Sequence, residues 1–328
     1  MPAGYGTPTG LAVDPADDDV WFVAQGPDQK LFHWSHDAGK ITDTFSIHGM
    51  RAGEFTPITI DTAHRIWLGM NQKLLVLRPG RHDLRQIALP PVKVGSARSG
   101  LPNPGIPDFG AHSSIDAIAV GPRGSIVVSR LFATELQTVD ASTFAIGTIA
   151  LPDNTAMPGL GEDDIAGDGR HIAAALYSST HEHRLGQLHD GAWITASPCG
   201  AYAVTIADRY LALSGDKCVA GRKTASAPVK VENIPVTGLP EHSLAGIVSR
   251  SLVAVTVPGG LVAATATTQS PLISLGKVAA GSSIGGNGTG DPKKLVPIRP
   301  VLMRSGSNNN LYFVPANQRR IGLVHHES

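Results

Sequence analysis

The chain has 328 residues, and its 27 Lys and Arg are matched by 27 Asp and Glu, so no net field draws it to nucleic acid or to an acidic membrane surface. Hydrophobic residues at 42% and charged residues at 16% supply a large core and exclude a disordered chain, and no stretch reaches the ~20 apolar residues that a membrane helix needs. The 37 Gly and 24 Pro are spread throughout and punctuate short apolar runs, the composition of an all-β fold.

Taken in chain order, the apolar runs recur as a unit. The first unit reads as strand A at Thr9–Asp14, strand B at Val20–Ala24 and strand C at Lys30–Trp34. The second has Thr56–Asp61, Ile66–Met70, Leu74–Arg78 and a fourth run, Gln86–Pro90. The third has Asp116–Gly121, Ile126–Arg130, Glu135–Asp140 and Gly147–Pro152, and the fourth has Asp163–Asp168, Ile172–Leu176 and Arg184–Leu188. The fifth and sixth show A and B alone, at Tyr202–Ala207 with Tyr210–Ser214 and at Ala245–Ser249 with Leu252–Thr256. The seventh has Arg299–Arg304, Leu311–Pro315 and Arg320–Val324.

The B runs start 38 to 60 residues apart, and the two long gaps contain a Pro/Gly-rich insertion at 90–110 and a Gly/Ser-rich one at 279–297. Without these the repeat is roughly 40 residues, the length of a four-stranded propeller blade. The expected fold is therefore a single all-β domain, a seven-bladed β-propeller of mostly four-stranded antiparallel blades. Closure requires either that residues near Tyr5 supply a strand to blade seven or that this blade stays short. No helix-period segment supports an α/β alternative. His325 and His326 read as a frayed tail.

Several runs also resemble a known repeat: Gly10-Leu-Ala-Val-Asp-Pro, Val20-Trp-Phe, Ile66-Trp-Leu, Leu311-Tyr-Phe, Asn317-Gln-Arg-Arg-Ile-Gly-Leu and His183-Arg-Leu-Gly-Gln-Leu. They are similar to the repeat of the streptogramin (virginiamycin B) lyase-like and NHL-type propellers. The resemblance covers blades one, two, three and seven and fades across roughly 199–290. It implies a metal-assisted enzyme that eliminates across an ester C–O bond, using a histidine and glutamates on inner loops. Where that family often has acidic residues after the Trp-Phe strand, this chain has Gln25, Met70 and Arg130. No catalytic residue is carried over by motif.

Residues before strand A and after strand B converge on one mouth of a propeller axis. Before A stand Glu54, His112, Asp116, Asp163, Asp164, Tyr202, His242 and Arg299; after B stand Asp28, Arg130, Tyr177, His181, Glu182, His183 and Asp216. His112, His181, His183 and His242 are candidate bases or proton shuttles, because imidazole titrates near neutrality. Arg130 and Arg299 suit a substrate carboxylate, with Tyr177 and Tyr202 beside them. Asp163, Asp164 and Glu182 offer oxygen ligands for a divalent Mg²⁺ or Ca²⁺. Each has a plainer alternative in a solvated polar loop.

Two functions stay open. One is a lyase or hydrolase acting on an ester, lactone or cyclic peptide. The other is a non-catalytic propeller that binds a peptide, protein or glycan through its loops. A monomer with a small-molecule or peptide ligand is expected, with no nucleic acid or membrane partner. Met1–Pro8 has no basic or apolar leader pattern, which points to a cytoplasmic protein, or to a secreted one if a signal has been removed. Cys199 and Cys218 fall in one unit, as two thiols or one disulfide. No Gly-x-Ser-x-Gly elbow or phosphate-binding Gly-Lys loop is present.

Overall fold

The computed structural model describes residues 1–24, 26, 28–48, 55–94, 114–159, 163–178, 180, 182–196, 201–207, 210–215, 219–223, 232–234, 236, 244–249, 252–265, 268–275, 277–279, 295–297, 300–307, 309–316 and 318–325. The protein is a seven-bladed β-propeller. Blade one is β1 (Pro8–Val13), β2 (Val20–Ala24), β3 (Lys30–Ser35) and β4 (Lys40–Ser46), and blade two is β5 (Ile58–Ile60), β6 (Ile66–Met70), β7 (Lys73–Leu77) and β8 (Leu84–Ala88). Blade three is β9 (Ile115–Val120), β10 (Ser125–Arg130), β11 (Glu135–Asp140) and β12 (Ile146–Ala150). Blade four adds a short β13 (Thr155–Ala156) to β14 (Ile165–Gly167), β15 (Ile172–Ser178), β16 (His183–His189) and β17 (Ala192–Ala196). Blade five is β18 (Ala201–Ala207), β19 (Tyr210–Gly215), β20 (Val219–Lys223) and β21 (Glu232–Ile234), and blade six is β22 (Ala245–Ser249), β23 (Leu252–Val257), β24 (Gly260–Ala264) and β25 (Gln269–Ser274). A hairpin of β26 (Lys277–Ala279) and β27 (Leu295–Pro297) brackets the second insertion, and blade seven is β28 (Pro300–Ser305), β29 (Asn310–Pro315) and β30 (Gly322–His325).

The sheets assemble through the period-2 alternation of their strands. In β2, Trp21 and Val23 face blade two, where they meet Ile58, Ile60, Ile66 and Leu68. Val20, Phe22 and Ala24 face the other way, onto Leu302, Tyr312 and Val314 of blade seven. In β6, Ile66 and Leu68 turn to blade one, while Trp67 turns to Ile118, Ile126 and Val128 of blade three. The same device joins Val127 and Leu136 to Ile165 and Ile172, and Ala173 and Ala175 to Val204 and Leu211. It then joins Ala212 to Val253 and Val255, and Ala254 and Leu261 to Leu311 and Phe313. Each large side chain sealed in these seams contributes roughly 1.5–3 kcal/mol.

Polar contacts close the ring. Asp18, at a left-handed φ of 62° in the β1–β2 turn, is buried. Its carboxylate accepts from Ser307 N at 2.5 Å and Asn310 Nδ2 at 2.6 Å in the β28–β29 turn. Tyr312 Oη and His36 Nδ1 lie 3.0 Å apart across the same seam. Tyr5 packs edge-on against Phe32, with ring centroids 5.0 Å apart, and is in no strand. Of the two closures expected, the described residues give the second, a three-stranded blade seven. The frayed tail is corrected in part: His325 lies in β30 and its Nδ1 is 2.8 Å from Asn310 Oδ1. Cys199 and Cys218 lie outside the described residues.

Replacing Asp18 by Ala leaves the half-buried Ser307 N–H and the buried Asn310 amide without their acceptor. The expected loss is roughly 2–4 kcal/mol of unfolding free energy, read as a lowered midpoint in urea with an unchanged slope.

Candidate functional site

The inner strands of blades one to five and blade seven enclose an axial cavity of about 440 Å³. Small and apolar residues such as Ala12, Ile58, Ala119 and Ile206 share its walls with the charged Asp61, Asp163, Asp168, Arg170 and Arg304. Ala12, Thr59, Ala119 and Ala166 occupy one register position, opposite Trp21, Trp67, Val127 and Ala173 in their B strands. Small residues fit there because the strands converge on the axis. Blade seven breaks the rule, since Arg304 holds this position opposite Tyr312.

The Arg304 side chain spans the cavity. Its Nη1 donates to Asp163 Oδ1 at 2.9 Å and to the Met303 carbonyl at 2.7 Å. Blades seven and four lie on opposite sides of the ring, so this pair joins them across the axis. Asp163 was expected at the mouth from its place before strand A; Arg304 was not. The signal was a cation in an inner strand whose counterparts are Ala or Thr.

A second acid–base pair lies in blade three, outside the residues that line the cavity. Arg130 ends β10 and is 1% exposed, and none of its three guanidinium nitrogens has a hydrogen-bond partner among the described residues. Burial lowers its pKa, and the charge of Asp116 opposes that shift. Asp116, the second residue of β9, is half-buried and its Oδ2 is sealed from solvent without a partner. Burial pushes its pKa up to about 7, although the Leu131 backbone N–H and the Arg130 charge favour the carboxylate. Asp116 was among the mouth residues read from sequence, without a role.

Blade four supplies the rim. Tyr177 and His183 are cross-strand neighbours in β15 and β16, with rings 4.9 Å apart. Glu182 is exposed and accepts from Arg184 Nη2 at 2.7 Å. Asp164 is buried and its carbonyl accepts from Ala175 N, while the Asp163 carbonyl accepts from Val204 N of blade five. Tyr202 lies in β18. His112, His181, His242, Arg299, Glu54 and Asp216 lie outside the described residues.

The described carboxylates do not fit a metal. Among the described residues no three His, Cys, Asp or Glu gather to hold one, Asp163 is committed to Arg304, and Glu182 is committed to Arg184. On the opposite face, a cleft of about 300 Å³ opens between blades one and two. There His33 stacks on Trp21 at 4.2 Å and lies 2.8 Å from Asp19 and 3.0 Å from Asp43, so the imidazole draws the Asp43 pKa down. His64 lies 2.6 Å from Asp14, whose hydrogen bond and charge raise the His64 pKa.

Solved structures share this architecture. A catalytically inactive virginiamycin B lyase from Staphylococcus aureus with quinupristin superposes with a TM-score of 0.64, at 13% identity, over 100% of this chain and 97% of that one. A streptogramin B lyase gives 0.58 at 13% identity, over 98% and 95%. The likeness is one of fold. The WD40 repeats of RRP9 give 0.54 at 11% identity, over 82% and 80%. No family model matches the sequence, and no curated protein matches it.

The raised pKa of Asp116 has a stability consequence with a definite sign. Between about pH 4, where an unfolded Asp ionises, and about pH 7, the folded state keeps a proton that the unfolded chain releases. Stability therefore falls as pH rises through this window. In thermal melts from pH 4 to 8, Asp116→Asn is expected to remove this fall and to gain on the native protein most at pH 8.

Proposed function

We propose that the protein is a streptogramin-lyase-like propeller enzyme, acting on an ester, lactone or cyclic peptide at the axial mouth. The observation that carries this reading is Asp116, a half-buried carboxyl beside Arg130 whose Oδ2 is sealed from solvent and whose pKa is pushed up to about 7. Carboxyls are tuned into this range where they move protons near neutral pH.

In an elimination, the Asp116 carboxylate takes the proton from the carbon next to the alkoxy carbon. The C–H electrons form the alkene, the C–O bond breaks, and the carboxylate leaves. In a hydrolysis, Asp116 takes a proton from the water that attacks the carbonyl, and the alkoxide leaves with a proton. In either case the Arg130 guanidinium lowers the barrier by facing developing negative charge in a dry setting. Tyr177 and His183 form a rim that contacts the bound substrate. This chemistry uses no metal-bound step.

The second reading is a non-catalytic binding propeller. The Arg304–Asp163 pair favours it, because a bridged, small-walled channel leaves shallow loops as the contact surface.

Incubation with cyclic depsipeptides, lactones and simple esters, followed by mass spectrometry, separates these outcomes. Elimination opens a ring at unchanged mass, and hydrolysis adds one water. The expected result is turnover that rises through an apparent pKa near 7 and falls about 10²–10⁴-fold in kcat for Asp116→Asn. Saturable binding without turnover would establish the binding propeller instead. Activity is expected to survive EDTA; loss on chelation, restored by Mg²⁺ or Ca²⁺, would return Asp163, Asp164 and Glu182 to the mechanism as ligands.

A further inference from the structure

One end of a single hairpin holds buried polar atoms that the described residues leave unpaired: Asp116 Oδ2, Ser129 Oγ and all three guanidinium nitrogens of Arg130. The pairing of β9 with β10 sets Arg130 opposite Ile115 and leaves Asp116 in the bulge beside it, while Ser129, opposite Ala117, turns to the other face of the sheet. Several other arginines among the described residues are engaged. Arg65 bonds Asp61, Arg184 bonds Glu182, Arg304 bonds Asp163, and Arg85 lies over the Phe144 ring. Arg130 is also the most completely buried of them, at 1% exposure.

Burying an unpaired cation is among the most costly things a fold does, and such sites are kept where a partner arrives. The donor set defines that partner. A guanidinium offers a planar fork of N–H groups that matches the two oxygens of a carboxylate. The nearby Asp116 carboxyl weighs against a doubly charged phosphate or sulfate, because like charges in a buried site repel.

We infer that Arg130 is a specificity-determining receptor for a free carboxylate, so that the ligand of the mouth is an acid that presents a planar anionic group to blade three. The inference rests on the proposed reading of the mouth as the ligand site. Seating the carboxylate satisfies the orphaned guanidinium and fixes the rest of the ligand relative to Asp116. Arg130 thus acts on which molecules enter, whatever chemistry follows.

The test is calorimetric titration with acetate, benzoate and hippurate, each against its neutral amide, at constant ionic strength. It uses the native protein, Arg130→Met and Arg130→Lys. At least one carboxylate is expected to bind saturably where its amide does not. The preference should fall at least roughly tenfold in Arg130→Met and be partly kept in Arg130→Lys, which retains the charge without the fork. Without ligand, Arg130→Met is expected to melt at or above the native temperature, because it removes an unpaired buried charge. No carboxylate preference across the panel, or an Arg130→Met protein that melts lower while binding carboxylates unchanged, would overturn the inference. Carboxylate binding without ester turnover removes the enzyme reading alone, and turnover of acidic esters undiminished in Arg130→Met removes this inference together with the charge-stabilising role of Arg130, leaving the enzyme reading on Asp116.

Discussion

Every seam of a propeller depends on the last one being closed, because an open ring leaves two sheet faces bare to water. Here blade seven meets blade one through a mixed joint. Leu302, Tyr312 and Val314 seal against Leu11, Val20 and Phe22, which provides adhesion without direction. Direction comes from Asp18, whose buried carboxylate accepts from the backbone of Ser307 and the side chain of Asn310. Hydrogen bonds at 2.5 and 2.6 Å tolerate little sliding, so they set the register in which the terminal blades meet. A propeller closed by a shared strand gets this register from its backbone ladder. In this chain the turn side chains supply it.

The inner two strands of every blade were legible in the sequence for a physical reason. Runs such as Val20–Ala24 and Ile66–Met70 are apolar on both faces because both faces are buried between neighbouring sheets. The outer strands face solvent on one side and carry weaker signals. β4 reads Lys-Ile-Thr-Asp-Thr-Phe-Ser, with only Phe45 buried, and no fourth strand was expected in the first unit. β20, Val-Ala-Gly-Arg-Lys, has a single β-branched residue, and β24, Gly-Leu-Val-Ala-Ala, opens on a glycine and ends on two alanines, so neither carries the bulky β-prone run that marked the inner strands. In blades five and six the third strand was accordingly not found.

The site was legible to a lesser degree. Position after strand B was enough to nominate Arg130, and position before strand A to nominate Asp116 and Asp163. What the sequence withheld was burial. An arginine at a strand end reads as a surface charge until the neighbouring blades are assembled around it. The pairing of Arg304 with Asp163 bridges 141 positions and depends on the count of blades that places them opposite each other. The His33 cluster is likewise assembled from Asp19 and Asp43, 14 and 10 residues away, by the return of β3 and β4 past the first turn.

The Arg304–Asp163 contact bears on the mechanics of the ring. A hoop of seven sheets held only at its circumference can ovalise: each seam hinges slightly and the bore flattens with little change in any single contact. A tie across the bore opposes that mode, because flattening along one diameter stretches another. With an Nη1–Oδ1 distance of 2.9 Å between blades seven and four, the bore keeps its roundness along that diameter. The bridge thus works against flattening of the bore beneath a molecule that settles at one rim.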